Sequence, residues 1–145
     1  MLINRRRIQV EWGDCDAAGT VFFPRYLEYG DACTNALFAK AGLFKPAMLK
    51  KFNIIGVPLV DLRARFLMPS DFGDDLVYET CILEWGRSSF QVRHSVYRPD
   101  NVLGLEIFEK RVWVKRVSED PVEFRSEPIP QEVKDRFAKA DAGDD

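Results

Sequence analysis

Only one long segment of the sequence carries a helical period, and it is apolar around about half of its circumference. Taking about 100° per residue from Phe22 onward, Phe22, Tyr26, Tyr29, Cys33, Ala36 and Leu37 fall on one side, widened by Phe23, Leu27, Gly30 and Phe38. Arg25, Glu28, Asp31, Asn35 and the small Ala32 and Ala39 fill the opposite arc. A surface helix needs a narrower stripe than this, so other elements must wrap around it. Pro24 fits the first turn, where a missing N–H leaves nothing unsatisfied, and Gly42 supplies a stop.

The wrapping material reads as strands. Residues 6–12, RRIQVEW, set Ile8, Val10 and Trp12 against Arg7, Gln9 and Glu11, the period of a half-buried strand. After a short helical or irregular piece, KPAMLKKFN (45–53), four more candidates follow: VPLVDLRARFL (57–67), DLVYETCILEW (75–85), SSFQVRHSVYR (88–98) and LGLEIFEKRVWVKRV (103–117). In the first of these Val60, Leu62, Ala64 and Phe66 oppose Asp61, Arg63 and Arg65. Turn residues separate them at PSDFGDD (69–75), Gly86-Arg87 and RPDNVLG (98–104). Connections this short force neighbouring strands antiparallel. The expected class is α+β, with one long central helix wrapped by a curved five-stranded antiparallel sheet. Such a sheet has edges to protect, so association into dimers or larger oligomers is expected.

At 145 residues the chain fits one domain, able to bury roughly two-thirds of its unfolded surface. Residues 1–127 are read as that domain; residues 128–145 are read as a short helix presenting Val133 and Phe137, followed by an acidic tail. A formal charge of -2 excludes a general nucleic-acid binder. The basic run Arg5-Arg6-Arg7 reads either as a solvated strand start or as a neighbour of an anionic ligand. Cys15, Cys33 and Cys81 cannot all pair and have no metal-ligand spacing, so free thiols in a reducing compartment are expected. There is no signal-peptide core in MLINRRRIQVEW and no 18-residue apolar run. The expected location is the cytoplasm, with no membrane insertion and no metal.

The segment GDCDAAGTVFFPRY (13–26) joins the first strand to the helix. Asp14 and Asp16 in such a loop commonly bond their own backbone as turn formers or caps. The same spacing also suits chemistry, because it brings a carboxylate close to the free N–H groups and partial positive charge of a helix start. Both readings are open on the residues alone.

The stretch GDCDAAGTVFFPRYLEYGDACTNALFAKAGL (13–43) resembles the first half of the 4-hydroxybenzoyl-CoA thioesterases of the Pseudomonas type, hotdog-fold acyl-CoA hydrolases. YETCILEWGRSSFQVRHSVYR (78–98) resembles the third and fourth strands of that family, and the likeness runs from about Ile8 to Val117. The resemblance implies a hotdog fold and an active site at a subunit interface, in a dimer or a dimer of dimers forming a homotetramer. It implies Asp16 as the catalytic carboxylate and the Phe23 backbone N–H as the oxyanion donor. Thioester hydrolysis needs both: a nucleophile or general base to deliver oxygen, and a donor for the charge developing on the carbonyl. Phe22 and Phe23 would line the acyl site and exclude water. Coenzyme A is then part of the substrate, and no separate cofactor is implied. The pathway the family suggests is aromatic degradation.

Asp31 lies eight residues beyond Phe23, about 12 Å along a helix, on the border between polar and apolar arcs. It is either a solvated helix acid or the acceptor for a para-hydroxyl on a bound benzoyl ring. Arg87, Ser88 and Ser89 occupy the turn where the family carries basic residues for the CoA phosphates; only one basic residue stands there, so an exposed turn is an equal reading. Arg5, Arg6, Arg93 or Arg98 could assist. His94, the one histidine, reads as a strand residue satisfied by a neighbour, and Cys15 has no histidine beside it in the chain to make it a nucleophile. A hydratase would need a histidine in the 13–26 loop, which has none. Two alternatives stay open: a short-chain or broad-specificity acyl-CoA thioesterase, and a non-catalytic acyl-CoA-binding module on the same fold.

Overall fold

The architecture comes from a computed structural model, which describes residues 1–139; the acidic end of the chain lies outside the described residues. The elements run β1 (Ile3–Gln9), a 3-10 turn (Trp12–Asp14), α1 (Phe23–Lys40), α2 (Lys45–Phe52), β2 (Leu59–Phe66), β3 (Asp75–Trp85), β4 (Ser89–Tyr97), β5 (Leu103–Val112), β6 (Val114–Glu119), β7 (Val122–Ser126) and α3 (Gln131–Ala138). Five strands form one antiparallel sheet in the order β1-β3-β4-β5-β2, and β6 pairs with β7 separately. The helix α1 lies along the inner face of the larger sheet, burying Tyr26, Gly30, Cys33, Thr34, Leu37 and Phe38. These belong to the wide apolar sector read from the sequence, with Thr34 added. This is the hotdog arrangement.

Two apolar clusters fill the space between helix and sheet. Around the N-terminal half of α1, Tyr26 and Cys33 pack with Val10, Val21, Leu76, Tyr78, Val96, Leu105 and Ile107. Around its C-terminal end, Leu37 and Phe38 pack with Phe90, Val92, Trp113 and the two α3 side chains Val133 and Phe137. The Phe137 ring meets those of Phe38 and Trp85 at 4.9 and 5.3 Å between centroids. That contact explains why a short C-terminal helix stays docked: burying a Phe contributes about 1.5–3 kcal/mol.

Three elements differ from the sequence reading. The first strand lies at Ile3–Gln9, and the chain then turns at Trp12–Asp14, closed by reciprocal bonds between Glu11 and Asp14. Trp12 therefore leaves the alternation and stacks edge-on against Phe72 at the surface. The stretch 103–117 splits at Trp113, whose backbone N–H makes a last bond to Ser88 O in the β4–β5 register before Val114 turns to exchange bonds with Ile55 and Gly56. The second piece, β6, then takes β7 as its partner. Third, β2 is an edge strand with little cover: Val60 and Phe66 stay exposed, and only Leu62 and Ala64 are partly covered.

Candidate active site

The loop after β1 is closed by its own backbone. The Phe22 N–H donates to Asp14 O at 2.8 Å and the Asp16 N–H to Thr20 O at 2.9 Å. Outside the loop, the Val21 N–H donates to Ser70 O and the Phe72 N–H to Gly19 O, pinning it against residues 70–72. Gly19 sits at φ +79°, where a side chain would be strained. The two aspartates then divide their work. Asp14 braces the helix: its Oδ2 accepts the Tyr29 hydroxyl at 2.5 Å and the Glu11 N–H at 3.2 Å, and Arg25 lies 3.7 Å from Oδ1. Burial, and then the bond to this carboxylate, push the Tyr29 hydroxyl well above its ordinary pKa.

Asp16 is exposed, and its Oδ1 accepts the N–H groups of Ala18 at 2.9 Å and Thr20 at 3.3 Å. This is the turn-forming bond expected of a loop aspartate. It occupies one carboxylate oxygen only: among the described residues, no hydrogen bond or ion pair reaches Oδ2. The turn bonds thus hold Asp16 through one oxygen and leave the other open, so the turn role does not use up the carboxylate.

The start of α1 lies across the same closed loop. Its N-cap is Phe22, in extended conformation (φ -67°, ψ 118°), with no side-chain cap, and a proline stands in the first turn. The first N–H groups of a helix have no intrahelical acceptor. Pro24 has none to offer, and the Phe23 N–H takes no partner among the described residues. An uncapped helix start of this kind offers a donor and a partial positive charge to an incoming oxygen. Beside it opens a cleft of about 220 Å³ lined by Val21, Phe23, Tyr26, Phe66, Met68 and Leu105 among others. The Phe22 and Phe23 rings, 5.8 Å apart, remain half-exposed rather than forming a closed wall.

A separate cleft of about 390 Å³ lies between α1 and β2, lined by Leu27, Glu28, Asp31, Leu59, Leu62 and the buried pair Glu109 and Arg111. Asp31 is not a freely solvated acid. Its Oδ1 accepts Arg111 Nη2 at 2.9 Å although 59% of its side chain is exposed. Arg87, Ser88 and Ser89 lie elsewhere. Their turn packs near the C-terminal end of α1, where the Ile129 N–H donates to Arg87 O and the Trp113 N–H to Ser88 O. One chain thus brings together Asp16, Phe22 and Phe23, carries Asp31 two turns down the helix, and holds 87–89 at the far end.

Between the two apolar clusters runs a buried polar belt that the sequence reading missed apart from His94. Thr80 Oγ1 lies 2.8 Å from His94 Nδ1, while His94 Nε2 lies 3.2 Å from both Thr34 Oγ1 and Glu109 Oε1. The Thr34 hydroxyl donates to Glu109 at 2.6 Å, and Arg111 grips the same carboxylate through Nε and Nη2, both at 3.1 Å. Burial would raise the Glu109 pKa, but the bonds from His94 and Arg111 outweigh it and hold the carboxyl at about 2. His94 is thus a core histidine satisfied by neighbours on three elements. The signal for the belt was present: Glu109 and Arg111 fall on the same side of β5 as Leu105 and Ile107, so a charge pair sits on an inward face.

Residues 10–137 match the thioesterase-like superfamily. The chain belongs to that family. A 4-hydroxybenzoyl-CoA thioesterase from Pseudomonas sp. (strain CBS-3) is 42% identical over 92 residues, covering 62% of this chain and 64% of that protein. The chain thus aligns with just under two thirds of that relative's length. In three dimensions the superfamily likeness spans nearly everything. A 4-hydroxybenzoyl-CoA thioesterase variant with an aspartate-to-asparagine substitution, solved in complex with 4-hydroxybenzoyl-CoA, superposes with a TM-score of 0.86 at 32% identity, covering 94% of this chain and 99% of that one. A gentisyl-coenzyme A thioesterase superposes with a TM-score of 0.78 at 29% identity, covering 94% and 100%. These superfamily relatives are named as thioesterases of acyl-CoA. Among the described residues no helix is long and apolar enough to cross a membrane.

Proposed function

We propose that this chain hydrolyses acyl-CoA thioesters, with an aromatic, 4-hydroxybenzoyl-like acyl group, to the carboxylic acid and free CoA. The observation that carries the proposal is the pairing of a carboxylate oxygen without a partner, Asp16 Oδ2, with an unpartnered helix-start N–H at Phe23, across one closed loop. The thioester carbonyl oxygen accepts the Phe23 N–H, and negative charge developing there is stabilised by the helix start. Asp16 Oδ2 attacks the carbonyl carbon, and the C–S bond breaks as CoA leaves as a thiolate and takes a proton from water. Water then hydrolyses the mixed anhydride, restoring the carboxylate and releasing the acid. The alternative role, deprotonating a water that attacks directly, uses the same two groups. Substrate captured in an aspartate-to-asparagine variant of the similar enzyme supports a catalytic aspartate. The acyl class rests on the relatives' substrates and on Asp31 in the cleft between α1 and β2.

The working unit is a homo-oligomer. The unpaired edge of β2 and the residues after it expose Leu59, Val60, Phe66, Leu67 and Met68 beside both clefts, a surface that a second copy would cover. It also suits the position of Arg87, Ser88 and Ser89, which would bind the CoA phosphates of a substrate seated in another copy. The second reading, a broader acyl-CoA thioesterase, is favoured by one feature: the cleft at Phe23 is lined mainly by apolar side chains that would accept an aliphatic chain equally well. Release of free CoA from 4-hydroxybenzoyl-, benzoyl- and short aliphatic acyl-CoA, read with a thiol reagent, decides between them. The aromatic reading expects the first to have the highest kcat/KM; a preference for the aliphatic substrates would replace it with the broader one.

A further inference from the structure

We propose that Arg111 is a positioning residue that selects a hydrogen-bond donor on the far side of the acyl group, by holding Asp31 with one oxygen occupied and the other presented to the seam between α1 and β2. The inference rests on the reading of Asp31 as the acceptor for a para-hydroxyl.

The geometry of the guanidinium leaves it no freedom. Nε and Nη2 bond the two oxygens of Glu109 at 3.1 Å each, Nη1 bonds Val57 O at 3.2 Å, and Nη2 reaches Asp31 Oδ1 at 2.9 Å. Arg111 is buried, and Glu109 is itself fixed by Thr34 and His94 from α1 and β4. Asp31, at the far end of this network, is the member that reaches solvent, in a cleft that Glu109 and Arg111 also line. Among the described residues no hydrogen bond or ion pair takes its Oδ2. A helical side chain leans back towards the helix N-terminus, which carries the carboxylate towards the Phe23 end of the seam. A core-anchored fork thus holds an exposed carboxylate at the cleft between α1 and β2, with one oxygen left to accept a further hydrogen bond. Sites that hydrogen-bond a substrate hydroxyl reject analogues without one far more strongly than apolar pockets reject a size change. The class selected is an aromatic thioester with a para O–H or N–H; a para-methoxy or para-halo ring would leave the acceptor unmatched.

A lysine at 111 keeps the charge but cannot span Glu109 and Asp31 together, because an ammonium is a point donor rather than a planar fork. The test compares kcat/KM for 4-hydroxybenzoyl-CoA and benzoyl-CoA in wild type, Arg111→Lys, Asp31→Asn and the double variant. Arg111→Lys is expected to lower the ratio between the two substrates about tenfold and, in the Asp31→Asn background, to move it no further. A merely structural role would lower both substrates alike and leave the ratio standing, which overturns the inference. If Asp31→Asn abolishes the para-hydroxyl preference and Arg111→Lys leaves it intact, the inference fails while the reading of Asp31 survives. A wild type without any para-hydroxyl preference overturns both. Should Arg111→Lys not fold, the Arg111 Nε–H resonance in the Asp16→Asn protein provides the readout: it is expected to shift on binding 4-hydroxybenzoyl-CoA and not benzoyl-CoA. Indifference to the hydroxyl would refute the proposal.

Discussion

Replacing Glu109 with Gln tests whether the polar belt holds the helix to the sheet through charge. Glu109 is 2% exposed and its carboxyl is held at about 2 against an ordinary 4.5. That difference corresponds to about 3 kcal/mol of preference for the ionised form in the folded state. Because the folded value lies below the unfolded one, the contribution is complete above about pH 4.5 and disappears as the pH falls towards 2. Glu109→Gln preserves the shape but leaves Arg111 with only the exposed Asp31 as an anionic partner, and breaking a buried pair costs about 3–5 kcal/mol. Urea unfolding of wild type and variant at equal protein concentration, from pH 7 down to pH 3, measures both effects. The variant should be destabilised by about 3 kcal/mol or more at pH 7, and the gap should narrow towards pH 3 as acid protonates the carboxyl in the unfolded wild-type chain while the folded one stays ionised. A gap that stays constant from pH 7 to pH 3, or a loss under about 1 kcal/mol, would refute the charge argument.

Tyr29→Phe removes the hydroxyl that Asp14 accepts at 2.5 Å and leaves that carboxylate one partner short. A loss of about 1–2 kcal/mol in unfolding free energy is expected, with a fall in turnover as the loop carrying Asp16 loosens; unchanged values for both would show that Asp14 does not brace the loop. Gly30→Ala adds a methyl inside α1 whose nearest neighbours, on His94 and Ile107, lie at 3.5–3.7 Å, ordinary contact distances. Helix propensity then favours the alanine, and a gain of about 0.5–1 kcal/mol is expected in thermal or urea unfolding; a loss would show that the helix cannot give the small space required.

The helix and the β3–β4 pair were legible because their side chains follow a clean period: the buried set Tyr26, Cys33, Leu37 and Phe38 lies on the sector read from the sequence, and Asp75–Trp85 matches to the residue. The reading failed where tertiary contacts override periodicity. Trp12 alternates with Val10 but is turned outward by the Glu11–Asp14 bonds. Trp113 continues the inward face of β5 and is buried, yet the strand ends at Val112 because Val114 takes Gly56 and Ser126 as partners. Asp16 and Phe23 are proposed from the resemblance of a loop motif, which is local. Arg111 was invisible because its partner Asp31 is 80 residues away, and the sequence marked Asp31 only as a border residue of a helix. The exposure of Val60 and Phe66 follows from the edge position of β2, which alternation cannot reveal.

The central claim is that Asp16 supplies the oxygen chemistry and Phe23 the oxyanion site. The most direct measurement is release of free CoA from 4-hydroxybenzoyl-CoA by wild type and Asp16→Asn, alongside equilibrium binding of the same substrate. Asparagine keeps the shape and the turn-forming oxygen but is neither a nucleophile nor a base. The account predicts turnover reduced by about a thousandfold or more with substrate binding retained. An Asp16→Asn protein that still releases CoA at a rate near wild type would contradict it.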